Sequence, residues 1–175
     1  MEAQLAQRPR YPEGVPWLDT LPGIDRQLAI LIVAEMGMDL SRFPSDRPLT
    51  AWAGVAPSHN QTGGKQRSGP TRQGNKYLCS GLVLGAPGAA RTKGRYLQSL
   101  DHRLAARRGK GRAAMAGGRT SLQRAYYLIS RNQVYQELGS NYLEARDTER
   151  TAKRRIQRLE ALGFEVQATE RVVAR

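Results

Sequence analysis

Between His59 and Gly69 the chain reads HNQTGGKQRSG, a run with two hydroxyls, three glycines, two cations and no apolar side chain. Gly63 and Gly64 free the backbone beside the Thr62 hydroxyl, and Lys65 and Arg67 follow closely enough to hold a phosphodiester against it. A hydroxyl that attacks a phosphodiester forms a covalent ester, which keeps the bond energy for a later rejoining step. It needs a base, a metal or strong cationic help, because a hydroxyl at its ordinary pKa is a poor nucleophile. Ser68, ahead of Gly69, adds a second hydroxyl suited to a phosphate contact. A flexible loop that binds phosphate and does nothing more has the same composition, and on residue physics alone it is the simpler reading.

Two further features offer phosphate chemistry. Leu21-Pro22-Gly23-Ile24 leads into an apolar helical stretch, the way a helix-hairpin-helix turn presents backbone N–H groups and a positive helix end to a phosphate; glycine lets the backbone come close. Asp25 stands where the anion would arrive, as it would in a plain loop-to-helix turn. Cations also crowd one part of the chain: Lys65, Arg67, Arg72 and Lys76, then Arg91, Lys93, Arg95 and Arg103, then Arg107, Arg108, Lys110 and Arg112. From Arg91 onward Asp101 is the only acid among them, so this stretch is expected to track phosphates. In DTERTAKRRIQR, residues 147–158, Asp147 and Glu149 supply local partners, and a solvated helix face is the expectation there.

The 28 Lys and Arg against 15 Asp and Glu give a net charge of +13 and a pI near 10.7. Such a field draws polyanions, and nucleic acid is the leading partner. The longest uncharged apolar stretch, Leu28 to Ala34, covers about two helical turns, too little for a bilayer, and MEAQLAQRPRYPEG lacks a signal-peptide core. A cytoplasmic, nucleoid-associated protein without a membrane partner is expected. With Cys79 alone and only His59 and His102, neither an internal disulfide nor a zinc site can be assembled, and no cofactor is expected in this chain.

These residues must be positioned by helices. Residues 1–20, with Pro9, Pro12, Gly14 and Pro16, read as a loose arm docked by Trp17 and Leu18. LPGIDRQLAILIVAEMG sets Leu28, Leu31, Ile32 and Glu35 on one side of a helix that Gly37 stops. Ser45 and Asp46 before Pro48 start a short helix carrying Leu49, Trp52 and Ala53, and residues 58–74 form the polar glycine loop. A helix resumes at NKYLCSGLVLGAPGAARTK, where Gly81, Gly85, Pro87 and Gly88 signal a kink or a tight helix contact. Further helices are expected at about 94–108, 112–131 and 143–162, and GFEVQATERVVA alternates enough for a short strand pair. The expected fold is mainly α: a helical domain over 21–140 opening with a helix-hairpin-helix-like turn, one long Gly-rich basic loop, and a charged helix and tail over 141–175 with a short β pair at the C-terminus.

The ordered blocks LPGIDRQLAILIVAEMG, RFPSDRPLTAWAGVAPSHNQTGGKQRSGPTRQGNKYL, YLQSLDHRLAARRGKGRAA and AYYLI resemble the C-terminal domain of the IS-one-ten (IS116/IS902-like) family of insertion-sequence transposases, from about Leu21 to beyond Leu138. The resemblance implies DNA recombination by a homo-oligomer, guided by structured RNA. The family joins this domain to a RuvC-like nuclease domain with an acidic Mg²⁺ cluster, and takes its serine nucleophile from the C-terminal domain. Thr62 stands at the position of that serine, just before the glycine turn. Its β-methyl restricts χ1 and crowds an in-line attack, so loss of most activity is expected. Asp19, Asp25, Asp39 and Asp46 show no grouping that would hold Mg²⁺, so the resemblance implies a RuvC-like nuclease chain as partner and a truncated transposase that cannot catalyse alone. Gly117, Gly118, Gln123 and Arg124 in the helix near 112–129 read as further signs of decay. The alternative is a non-catalytic nucleic-acid-binding protein.

Overall fold

The computed structural model describes residues 11–145 and 148–166, in two units, Met1–Ser140 and Asn141–Arg175. The first unit runs α1 (Tyr11–Asp19), α2 (Arg26–Met36), a 3-10 turn (Leu40–Arg42), α3 (Asp46–Trp52), the antiparallel strands β1 (Pro57–Thr62) and β2 (Lys65–Thr71), then α4 (Lys76–Arg91), α5 (Tyr96–Arg108) and α6 (Lys110–Arg131). Residues 11–19 are therefore a helix where a loose arm was expected. Leu18 anchors it, fully buried in the core, and α1 packs on α2. Residues 1–10 lie outside the described residues.

The core follows from helical spacing. Leu28, Ala29, Ile32, Val33 and Met36 bury one face of α2, whose N-terminus is capped by the Asp25 carboxylate accepting from the Leu28 N–H at 2.8 Å. Helix α6 packs against α1, α3, α4 and α5, burying Gly118, Ser121, Leu122, Ala125, Leu128 and Ile129 at intervals of three and four. Its glycines and polar residues have structural tasks. A Cβ on Gly118 would lie 3.1 Å from the Leu82 carbonyl oxygen, so the missing side chain sets how closely α6 approaches α4. Gln123 donates to the Asp46 carboxylate at the start of α3, Tyr126 donates to the Phe43 carbonyl at 3.0 Å, and Arg124 lies 5.4 Å over the Tyr96 ring. The expectation that Gly118, Gln123 and Arg124 mark decay is corrected by these contacts.

Helix α4 runs on through Pro87, and its glycines make the expected tight helix contact. A Cβ on Gly81 would press on Leu28, and one on Gly85 would run into the Gly23 carbonyl. After α6, Asn132 takes a left-handed conformation (φ 52°) and the chain turns back as a strap. The Tyr135 N–H donates to Thr20 Oγ1 at 3.0 Å, and the Glu137 carboxylate accepts from the Tyr96 N–H at 2.8 Å and from Arg95 at 3.4 Å. Glu137 thereby caps α5, whose own N-cap residue, Arg95, offers no acceptor side chain.

The glycine loop expected over 58–74 is a β-hairpin. Its strands are polar on both faces, so they lack the alternation that marks a half-buried strand, and the main-chain ladder with a two-residue turn holds them. In the second unit, α7 (Tyr142–Ala145) precedes α8 (Thr148–Glu160). The Phe164 N–H donates to the Leu159 carbonyl and the Gly163 N–H to the Glu160 carbonyl, a Schellman stop with Gly163 at φ 89°. Phe164 to Val166 form no strand, and the rest of the C-terminal strand pair lies outside the described residues.

Candidate nucleic-acid interface

The hairpin is built on a narrow pedestal. Gly54 (φ 76°), just before it, and Gly74, just after it, approach so closely that a Cβ on Gly54 would stand 2.9 Å from the Gly74 nitrogen. The Asn75 N–H then donates to the Trp52 carbonyl at 3.2 Å, and the Asn75 side chain caps α4 by accepting from the Leu78 N–H at 3.0 Å. Asn75 Nδ2 donates to Glu35 of α2 at 2.5 Å, which fixes the cap and with it the hairpin root. Glu35 was legible only as part of a helix face; its tertiary bond, forty residues away in sequence, left no local signal.

At the far end Thr62 pairs with Lys65 across a turn whose two central residues, Gly63 (φ 58°) and Gly64 (φ 74°), both take positive φ. That is the pattern of a type I′ turn, which matches the twist of the flanking strands. All four residues are exposed, and the space where a Cβ would lie on Gly63 or Gly64 is open. Directly paired residues carry their Cβ atoms about 4.5–5.5 Å apart, so Thr62 and Lys65 share one face of the hairpin. Further down, Arg67 pairs with Asn60 and Ser68 with His59. Arg72 follows β2 and Lys76 opens α4, both exposed at the root rather than at the tip.

Gly23 lies elsewhere. The Leu21–Ile24 turn does join two helices, but a Cβ on Gly23 (φ 80°) would meet the Gly85 carbonyl oxygen at 2.6 Å and Ala89 at 2.7 Å. The close approach that glycine allows there is to α4, and the Asp25 carboxylate occupies the α2 N-terminus.

Arg107 and Arg108 come together with the hairpin root across a cleft of about 620 Å³. Pro57, Gly69, Pro70 and Thr71 form one side; the α5–α6 corner forms the other, adding Arg112 and Arg119. Every charged residue lining it is an arginine. Arg119 was not singled out from the sequence, although it stands seven residues after Arg112 on one helix face; its Nε is buried without a hydrogen-bond partner. The basic field is not uniformly free: Arg95 is engaged by Glu137. Burial alone would raise the Glu137 pKa, but hydrogen bonds from the Tyr96 and Gly139 N–H groups, Arg95 and Tyr135 bring it below its ordinary value. Burial and the neighbouring Glu137 charge push Tyr135 up to about 12.

Among the described residues, no three His, Cys, Asp or Glu side chains are grouped so that they could hold a metal ion, so the family's Mg²⁺ finds no fitting donor set in them. Nor is any helix among them long and apolar enough to cross a membrane. No curated protein matches the chain. Residues 16–101, from the end of α1 into α5 and including the whole hairpin with its pedestal, match the model of the Transposase IS116/IS110/IS902 family. The chain thus carries, across residues 16–101, the C-terminal domain of the IS116/IS110/IS902 family of transposases.

Proposed function

We propose that the hairpin is the DNA-gripping element of this domain, with Thr62 presented to a phosphodiester and Lys65, Arg67, Arg72 and Lys76 following the backbone. A domain of this family implies a role in DNA transposition, with DNA as the partner. The observation that supports the hairpin reading is the Thr62–Lys65 pair at an exposed two-glycine tip. Open space at Gly63 and Gly64 admits a nucleic-acid backbone, and the Lys65 ammonium offsets the negative charge that develops as Thr62 Oγ bonds to phosphorus and the strand's leaving oxygen departs. The hydroxyl proton passes to a base from outside the tip, which fits joint action with a RuvC-like nuclease domain in a homo-oligomer guided by structured RNA. The second reading, a non-catalytic nucleic-acid-binding module, draws on the Thr62 β-methyl, which crowds in-line attack.

Binding to duplex DNA, branched DNA and structured RNA across a salt titration tests the grip. Replacing Lys65, Arg67, Arg72 and Lys76 with Ala is expected to shrink the log–log salt slope by about three to four units. Equal slopes for the two proteins would remove the hairpin from the interface. For the nucleophile, Thr62→Ser with a RuvC-like partner and Mg²⁺ is expected to raise the yield of a covalent protein–DNA adduct; no adduct from either protein leaves the binding-module reading.

A further inference from the structure

We infer that the arginine-lined cleft between the hairpin root and the α5–α6 corner receives a single unstacked nucleotide, so that the domain binds one strand locally freed from its partner. The inference rests on the reading of the domain as a DNA binder but concerns a different surface from the hairpin tip. The cleft, at about 620 Å³, is within the range of about 300–1,000 Å³ for sites that enclose a small organic ligand. A duplex groove contact calls for a shallow basic surface, and this site has walls. Pro57 from the hairpin side and Leu104 and Met115 from the helices supply apolar surface for a base, while the arginines supply cations for its phosphate.

Charge at this corner has two sources that must be separated. Arg107 and Arg108 occupy the last turn of α5, where a helix's negative end favours cations with or without a ligand. Arg119 has no such reason, since it sits in the middle of α6, among small residues, with its Nε buried and unpartnered. Arg119 lines the cleft, where a guanidinium can donate to a phosphate oxygen. The start of α6 adds to this. Its N-cap, Gly109, lays no side chain over the first-turn N–H groups, the first turn holds no acid, and Gly111 and Arg112 line the same cleft.

The test uses the full chain and a DNA oligonucleotide carrying 2-aminopurine, a base that brightens when unstacked, offered as a single strand and in a fully paired duplex. Gly111→Trp fills the cleft from an exposed position where a Cβ meets nothing within 4 Å, so the fold is left intact. Arg119→Met removes the guanidinium while keeping most of the stem. Wild type is expected to brighten the single strand, and both variants are expected to lose that signal and about tenfold in single-strand affinity while binding duplex as before. Absence of brightening with wild type, or equal loss of single-strand and duplex binding in Gly111→Trp, overturns the inference. The hairpin reading fails separately, by the salt slope of the four-alanine variant, whose cleft is untouched.

Discussion

The α4–α6 contact and the β1–β2 hairpin belong to one domain and are held by opposite means. Between the helices, side-chain identity decides: Leu82 and Leu122 are fully buried, and Gly118 is small because the Leu82 carbonyl is 3.1 Å from where its Cβ would be. In the hairpin, Thr62 and Lys65 are exposed, and a backbone ladder closed by two positive-φ glycines gives the shape. Side chains that are not required for packing are free to meet a ligand, and an element that is polar throughout keeps its shape only if something else anchors it. Here the anchor is the root, where Gly54 meets Gly74 and Glu35 fixes Asn75.

The contrast breaks most visibly in the core. Leu122→Ala removes a fully buried side chain facing the centre of the unit, and about 2–5 kcal/mol of stability is expected to go with it, read as a lower urea midpoint at unchanged slope. A loss well under 1 kcal/mol would mean that α6 is not the packing centre.

What the sequence disclosed follows the same divide. Helices α2, α4, α5 and α6 were legible because apolar residues recur at three and four; the caps at Asp25 and Asn75 emerge only in the structure, and Arg95 and Gly109 give α5 and α6 none of their own. Helix α1 was missed because Pro12, Gly14 and Pro16 outweighed its few apolar positions, and it is tertiary burial of Leu18 that holds it. The hairpin was missed because neither strand alternates, although Gly63-Gly64 was a turn signal in plain view. Thr62, Lys65, Arg72 and Lys76 stand out as candidates by residue type and spacing; the cleft does not, since Val55, Leu104 and Arg119 meet only in three dimensions.

The strap after α6 lies between the two regimes, with polar groups that are partly buried and mutually satisfied. Glu137→Gln weakens the cap on α5 and the pair with Arg95, and about 1–2 kcal/mol is the expected cost near neutral pH. Because the folded-state pKa of Glu137 is lowered from 4.5, its contribution is present above that value and fades as pH falls through the folded value. Tyr135 acts at the other end: raised from 10.0 to about 12, it favours the folded state fully below pH 10 and loses that advantage as pH climbs toward 12. Urea midpoints across pH check both limbs. The acid limb is expected to flatten in Glu137→Gln, and an unchanged limb would move the effect to other carboxylates.

The smallest effect on global stability is expected at the hairpin tip, and it separates the two regions most cleanly. Gly64→Ala places a Cβ at φ 74°, where an L-residue is disfavoured by about 1–2 kcal/mol, but the added atom meets nothing within 4 Å. The strain therefore falls on the turn alone. If the hairpin opens as its own low-stability unit, the urea midpoint stays within about 0.5 kcal/mol of wild type while amide exchange at residues 59–68 speeds up several-fold. Phosphate binding should weaken with it, since Lys65 is no longer held opposite Thr62. A variant that lowers the global midpoint as far as Leu122→Ala does would show that the hairpin folds in concert with the helices, and that its ladder is part of the core's stability rather than an attachment to it.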